Sequence, residues 1–314
     1  MAEHEKEIDT VTGRATTGHE WDGLKELNTP LPKWWLYTFY VSIIGSIVYY
    51  FFFPAWPIPT PDGWRATAGS LGYSQRATVT QELKDEAAKR ADAINAIASQ
   101  SFEQIEKNPN LLEVAQAGGR IAFKENCAPC HGTGAQGGKG FPNLNDDDWL
   151  WGGKVEDIHA TLLHGIRWDQ DADTRVSAMP AFGKDGVLST AQIEDVTDYV
   201  LSLSRQKHNM AGAQRGAAIF AEQCVACHGE TGKGNREFGA PNLTDAIWLY
   251  GKQRADIVYT IANARNGRMP AWKTRLDPVT IKQLAIYIHT LGGGEPTNAQ
   301  AAEAAGIPET QGKL

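Results

Sequence analysis

Two pentapeptides carry the chemistry of this chain, Cys127-Ala128-Pro129-Cys130-His131 and Cys224-Val225-Ala226-Cys227-His228, and between them they hold all four cysteines. Two thiols two residues apart reach the two vinyl groups on one edge of a porphyrin and form thioethers. The His that follows lies under the ring, where its imidazole binds the iron. Cys-x-x-Cys-His is the attachment pattern of c-type haem. A zinc site would need two further ligands at matching spacing, and the sequence offers none. A redox dithiol or a chance disulfide explains neither the His nor its second appearance. The pattern implies two covalently bound haem c groups, held by Cys127, Cys130, Cys224 and Cys227, with His131 and His228 as axial ligands.

Each iron then has a second axial position. Beyond the initiator the methionines are Met179, Met210 and Met269. Met210 lies between the two haem regions and reads as filler. Met179 and Met269 each open a Met-Pro-Ala-aromatic run, 48 residues (179−131) and 41 residues (269−228) after the preceding haem histidine. His/Met ligation raises potential and occupies both axial positions, which suits electron transfer. The simplest assignment pairs each Met with the His before it. Two tandem domains could instead exchange Met loops, an alternative that the sequence leaves open.

The elements that must position these residues occur twice. Gly119 to Phe123 leads into the first haem motif and Gly216 to Phe220 into the second, at an offset of 97. Pro142-Asn143-Leu144 matches Pro241-Asn242-Leu243, and Trp149-Leu150-Trp151-Gly152 matches Trp248-Leu249-Tyr250-Gly251, at an offset of 99. The Met runs match at an offset of 90, so the first copy holds nine extra residues between Trp168 and Ser177. Each copy closes on a helix-like segment, Thr190–Ser204 with Tyr199 and Pro278–Leu291 with Tyr287. A glycine four residues before an aromatic lets a second helix cross closely. The order of parts resembles the all-helical class I cytochrome c fold. A domain this small has little apolar area of its own, and a buried porphyrin would complete its core.

Upstream, Trp34 to Phe53 is 20 residues without a charge, enough to cross a bilayer as a helix, with Trp and Tyr at both ends and prolines beyond. A cleaved signal peptide would start near Met1 with a basic region and end in small residues. Lys6, Arg14, Lys25 and Lys33 precede the span and Arg65 alone follows closely, so the positive-inside bias places the N-terminus in the cytoplasm. Haem c is attached outside the cytoplasm, which places the later domains there too, in the periplasm of a bacterium. The expected fold class is all-α: one N-terminal transmembrane helix followed by two tandem class I cytochrome c domains. Its divisions are a cytoplasmic segment 1–33, a transmembrane helix 34–53, and a periplasmic linker 54–110. Cytochrome domains at 111–207 and 208–293 and a disordered tail 294–314 complete them. Within the linker, 54–80 reads as an irregular crossing. Residues 81–107 read as one or two helices packed on a haem domain or on a partner.

The formal charge of −7 argues against nucleic acid as a partner. Residues 111–208 carry 9 basic and 14 acidic groups, and 209–293 carry 10 and 6. Opposite signs could steer different protein partners, with Asp146, Asp147 and Asp148 recruiting a basic donor; unrelated surface drift gives the same counts. His159 and His164 face Val258 and Asn263 at the matching points of the second copy, which favours surface or core roles over iron ligation. Gly137-Gly138-Lys139-Gly140 reads as a flexible haem-edge loop, since it lacks the strand and full spacing of a phosphate cradle.

Anchor, spacer and tandem haem modules together resemble the dihaem P subunit of the cbb3-type cytochrome c oxidases. The likeness includes Asn28-Thr29-Pro30-Leu31-Pro32-Lys33-Trp34-Trp35, Phe39-Tyr40, Trp149-Leu150-Trp151-Gly152-Gly153 and Gly239-Ala240-Pro241-Asn242-Leu243-Thr244-Asp245. Likeness to cytochromes c implies that the Pro142 and Pro241 carbonyls accept a hydrogen bond from His131 and His228. It also offers Trp149, Trp248, Arg167, Arg265 and Arg268 as contacts for haem propionates, with ordinary core or surface roles as the alternative. The resemblance implies electron transfer from a donor cytochrome c toward the monohaem subunit and the haem–copper, proton-pumping subunit, with no oxygen chemistry in this chain. A freestanding dihaem shuttle is the main alternative. A dihaem peroxidase or dehydrogenase would need an open iron, against which Met179 and Met269 argue.

Overall fold

The computed structural model describes residues 7–296, in two units, one ending at Lys89 and the other beginning at Arg90. The expected disordered tail lies outside the described residues from 297 onward.

The first unit departs from the all-α expectation by two small hairpins. Strands β1 (Thr16–Trp21) and β2 (Leu24–Leu27) pair antiparallel. Asp22 and Gly23 join them with φ of 49° and 84°, the two left-handed residues that a tight hairpin turn requires. Helix α1 (Lys33–Phe52) follows, then β3 (Pro57–Thr60) and β4 (Gly63–Ala66), a second antiparallel hairpin. The span read as 34–53 is thus helical one residue earlier at each end. Its mean hydropathy is 1.4 and none of its residues is buried. A 20-residue apolar helix with no protein cover has the length and surface of a membrane span.

Helix α2 (Gln75–Ser99) is followed by α3 (Phe102–Glu106), which starts on a capping box between Ser101 and Gln104. Ile97 and Ile105 are fully buried in the same cluster as Phe123. The segment 81–107 therefore packs its end on a cytochrome core, one of the two alternatives open from sequence.

The cytochrome region contains α4 (Pro109–Asn126), α5 (Ala128–His131), α6 (Val155–His164), α7 (Thr190–Leu203), α8 (Met210–Gln223), α9 (Val225–His228), α10 (Arg254–Asn263) and α11 (Pro278–His289). Both predicted close crossings are present, with exchanged partners. A Cβ on Gly119 of α4 would overlap the Gln283 carbonyl of α11, and one on Gly216 of α8 would overlap the Asp195 carbonyl of α7. The ring pairs follow suit, Phe123 with Tyr287 at 5.6 Å and Phe220 with Tyr199 at 5.0 Å. One core joins Phe123, Ile158 and Leu162 to Ile281, Leu284 and Ile288; the other joins Ile193, Val196 and Val200 to Phe220, Ile257 and Ile261. Packing units therefore do not coincide with the sequence repeats 111–207 and 208–293. Each copy's C-terminal helix completes the other copy's core.

The link between α7 and α8 explains this. It spans only residues 204–209, and so short a connection holds two helices as antiparallel neighbours. Buried Asp198 of α7 accepts the Asn209 amide at 2.9 Å and pairs with Arg254 of α10. Burial opposes its ionisation, but the Arg254 and Asn209 bonds outweigh burial and hold its carboxyl below the usual range. Arg254→Ala should leave that carboxylate buried and unpaired. Because the arginine is 42% exposed, we expect a loss of about 2 kcal/mol, less than for a fully buried pair. A depressed carboxyl stabilises above its unfolded pKa and loses that contribution as pH falls through its folded pKa. The melting difference between wild type and variant should therefore shrink below about pH 4.

Candidate functional site

Each haem motif sits at the mouth of its own cavity. The N-terminal crossing helix ends in Cys127 or Cys224 as its C-cap, and a four-residue helix then turns the His inward. The Nδ1–H of His131 donates to the Pro142 carbonyl at 3.0 Å, and that of His228 to Pro241 at 3.1 Å. That bond fixes the tautomer and leaves Nε2 with its lone pair for a metal. Burial pushes both histidines below their ordinary pKa, partly offset by the proline carbonyls, so the imidazoles are neutral and competent to ligate. Burial, with a smaller contribution from the neighbouring thiol, pushes Cys127 and Cys224 up to about 11.

The two methionines enter from across the pseudo-repeat. The first cavity is lined by Cys127, His131, Leu162 and Met269. The second is lined by Cys224, Cys227, His228 and Met179. Ile166 and Met269 exchange backbone hydrogen bonds at 2.9 and 3.0 Å, and Asn266 clamps the Met179 backbone from both sides at 3.1 and 3.2 Å. Each Met loop is thus fastened beside the cavity it lines, just past the central helix of the other copy.

The crossover is pinned along its length. Arg167 donates to Gly267 and Ser177 carbonyls at 2.7 and 2.6 Å, and Lys273 lies 2.8 Å from buried Asp171, whose carboxyl it holds down to about 2. His164 and Asp173 complete that cluster, in which the ammonium already supplies the positive charge. The expected flexible loop 137–140 is instead tied down. Gly140 donates to Leu249 at 2.8 Å and Lys139 pairs with Asp256 at 2.8 Å. Gly140 approaches Tyr250 as Gly239 approaches Trp151, so one contact is made twice about a pseudo-twofold axis. Leu150 lines both cavities. Its shared position and the Asn266 clamp were missed from sequence, which left the Met exchange open as the alternative to the simpler pairing; the short 204–209 link was the available signal.

The candidates for propionate contact divide. Arg167 and Arg265 both line the second cavity, and among the described residues the buried Nε of Arg265 has no hydrogen-bond partner. Trp248 lines it as well. Trp149 lines the first cavity, but its indole N–H is spent on the Gly293 carbonyl at 2.6 Å. Arg268 lines neither cavity, being tied to Asp169 at 2.8 Å and to the Arg167 carbonyl. Nor do His159 and His164, which meet Phe102 and Asp171. The Asp146–Asp148 run is no simple docking patch. Asp147 alone is exposed, and Asp148 lines the first cavity.

These residues fit a c-type haem at each cavity: paired thiols, a neutral His with a fixed tautomer, a thioether from the Met loop and largely apolar walls. Comparison with known proteins agrees. Residues 13–60 match the N-terminal domain of cytochrome oxidase-cbb3, FixP, and residues 114–200 and 211–288 match cytochrome c oxidase, cbb3-type, subunit III. The chain is 55% identical to the cbb3-type cytochrome c oxidase subunit FixP of Bradyrhizobium sp. (strain ORS 278), over 94% of this chain and 100% of that protein. It is 52% identical to subunit CcoP of Azospirillum brasilense over 93% of this chain and 99% of that protein. Subunit CcoP of Cereibacter sphaeroides is 49% identical, over 89% and 95% of the two chains. An apolar N-terminal helix, two Cys-x-x-Cys-His cavities and these relatives lead to one conclusion: the chain belongs to the FixP/CcoP family of cbb3-type cytochrome c oxidase subunits.

Proposed function

We propose that the chain is the dihaem electron-transfer subunit of a cbb3-type oxidase. It accepts electrons from a donor cytochrome c and delivers them toward the monohaem subunit and the haem–copper subunit, where oxygen is reduced and protons are pumped. The observation that carries this reading is the pair of cavities, each with a tautomer-fixed His and a Met. Haem c, when bound, supplies a one-electron iron couple. This chain's residues supply its attachment through four thiols and its axial ligands, with the pairs crossed: His131 with Met269, and His228 with Met179. The α1 helix anchors the chain in the bacterial inner membrane as a single pass. Basic residues before it support a cytoplasmic N-terminus and periplasmic haem domains. Purification through this chain in mild detergent tests the assembly. Co-elution of b-type haem, copper and cytochrome-c-dependent oxygen uptake is expected; haem c alone, under conditions that preserve such complexes, would indicate a freestanding carrier.

One group gives the first site a pH dependence. Burial, then repulsion from Asp245, Asp146 and Asp147, pushes Asp148 up to about 6 against the pull of Arg236. Its carboxyl is therefore protonated more readily in the fold than in the unfolded chain. That contribution to stability is present below the unfolded pKa and lost as pH rises through about 6. Ionisation beside the cavity also favours the oxidised state. The midpoint potential of the first site should fall as pH rises through about 6, and Asp148→Asn should flatten the slope in a redox titration.

A further inference from the structure

The two cavities are built from matching residues, so their differences are interpretable. At an offset of 99, Ile166 in the first copy corresponds to Arg265 in the second. Ile166 lines the first cavity and Arg265 the second. Arg167 also lines the second cavity, across the crossover from the copy that carries it. Thus two arginines line the second site, and both stay charged at any working pH. The charged group lining the first cavity is Asp148.

Nearby charges do not erase this contrast. Asp256 lies 3.9 Å from Arg265, but Lys139 pairs with the same carboxylate at 2.8 Å. Asp157 occupies the matching position at the first site. Arg175 lies over the Trp151 ring, 5.1 Å from its centroid, and lines neither cavity. Tyr250 and Tyr259 flank the Arg265 guanidinium, 5.3 and 4.5 Å from its carbon, which holds the charge in place. A haem would bring the same two propionates to each site, so the arginines remain the difference in charge between the two. Reduction removes one positive charge from the iron. Fixed cations therefore favour the reduced state, and a carboxylate opposes it.

We propose that Arg265, supported by Arg167, makes the second site, that of His228 and Met179, the higher-potential one. An electron on the chain then rests there in preference to the site of His131 and Met269. This rests on the crossed dihaem reading above and adds an order to it.

The test is optical redox titration of the full-length chain at pH 7, with haem content and low-spin spectra recorded alongside. Wild type should show two one-electron waves. Arg265→Ile should lower the upper wave by about tenfold in the equilibrium constant, about 59 mV, and leave the lower one in place. Arg265→Lys should restore most of the shift. Ile166→Arg, made in parallel, should raise the lower wave and decides the matter should Arg265→Ile lose its haem. Unmoved waves in both charge variants, or a lower wave that responds to Arg265→Ile, would overturn the proposal. Failure to co-purify with an oxidase would instead strike the assembly reading and leave the potentials untouched.

Discussion

Met269→Ala should give a chain that binds about one equivalent of carbon monoxide when reduced, where wild type binds essentially none. Met269 lines the first cavity with His131, and an alanine side chain cannot ligate a metal. The proposed attachment through Cys127 and Cys130 is untouched by the substitution, so haem content should match that of wild type. Met179→Ala should open the other site in the same way, and the double variant should bind about two equivalents. Loss of a thioether ligand also lowers potential, so each variant should shift one redox wave downward. Met210→Ala is the control, since Met210 is exposed on α8 and lines neither cavity.

The second large effect is expected from Gly216→Val. A Cβ on Gly216 would overlap the Asp195 carbonyl and press on the Val196 Cα, backbone that cannot rotate away. Valine would force α7 and α8 apart and break the Phe220–Tyr199 contact. Overpacking of a close crossing costs about 3 kcal/mol, occasionally more. Because α7 follows the Met179 loop directly, the second site should suffer with the helix pair. Expected readouts are a melting temperature lower by several degrees and weakened low-spin character at one of two haems. Gly119→Val should do the same to the α4–α11 pair and the first site.

Much of the site was legible because its chemistry demands residues in sequence. The Cys-x-x-Cys-His runs and the Pro-Asn-Leu segments lie within about a dozen residues of each other, so their bonds are nearly local. The glycine-and-aromatic pairs Gly119/Phe123 and Gly216/Phe220 correctly announced two close helix crossings. What they could not announce was the partner. Tyr199 and Tyr287 present similar surfaces, and either would pack on Phe123 or Phe220. The choice is made elsewhere, by the short 204–209 link, by Asp198 meeting Asn209 and Arg254, and by the backbone pairing of Ile166 with Met269. These are long-range or geometric constraints with no repeat of their own. The hairpin at Asp22-Gly23 was legible in principle, since that dipeptide is a strong turn signal. Arg268 and Trp149 spend donors on Asp169 and on backbone carbonyls, which nearness to a haem loop in sequence could not show.

The crossed architecture has a functional consequence. Electron carriers built as independent domains can lose one and keep the other. Here each cavity is lined by a His from one repeat and a Met from the other, so under the crossed ligation proposed above neither site is complete without both. Leu150, common to the two cavities, lies between sites that must exchange electrons.

The most direct test uses a full-length chain carrying Cys127→Ala and Cys130→Ala, so that covalent haem remains only beside His228. In that background Met179→Ala and Met269→Ala are compared by carbon monoxide binding to the reduced protein. The crossed account predicts binding with Met179→Ala and none with Met269→Ala. Binding with Met269→Ala and none with Met179→Ala would contradict it.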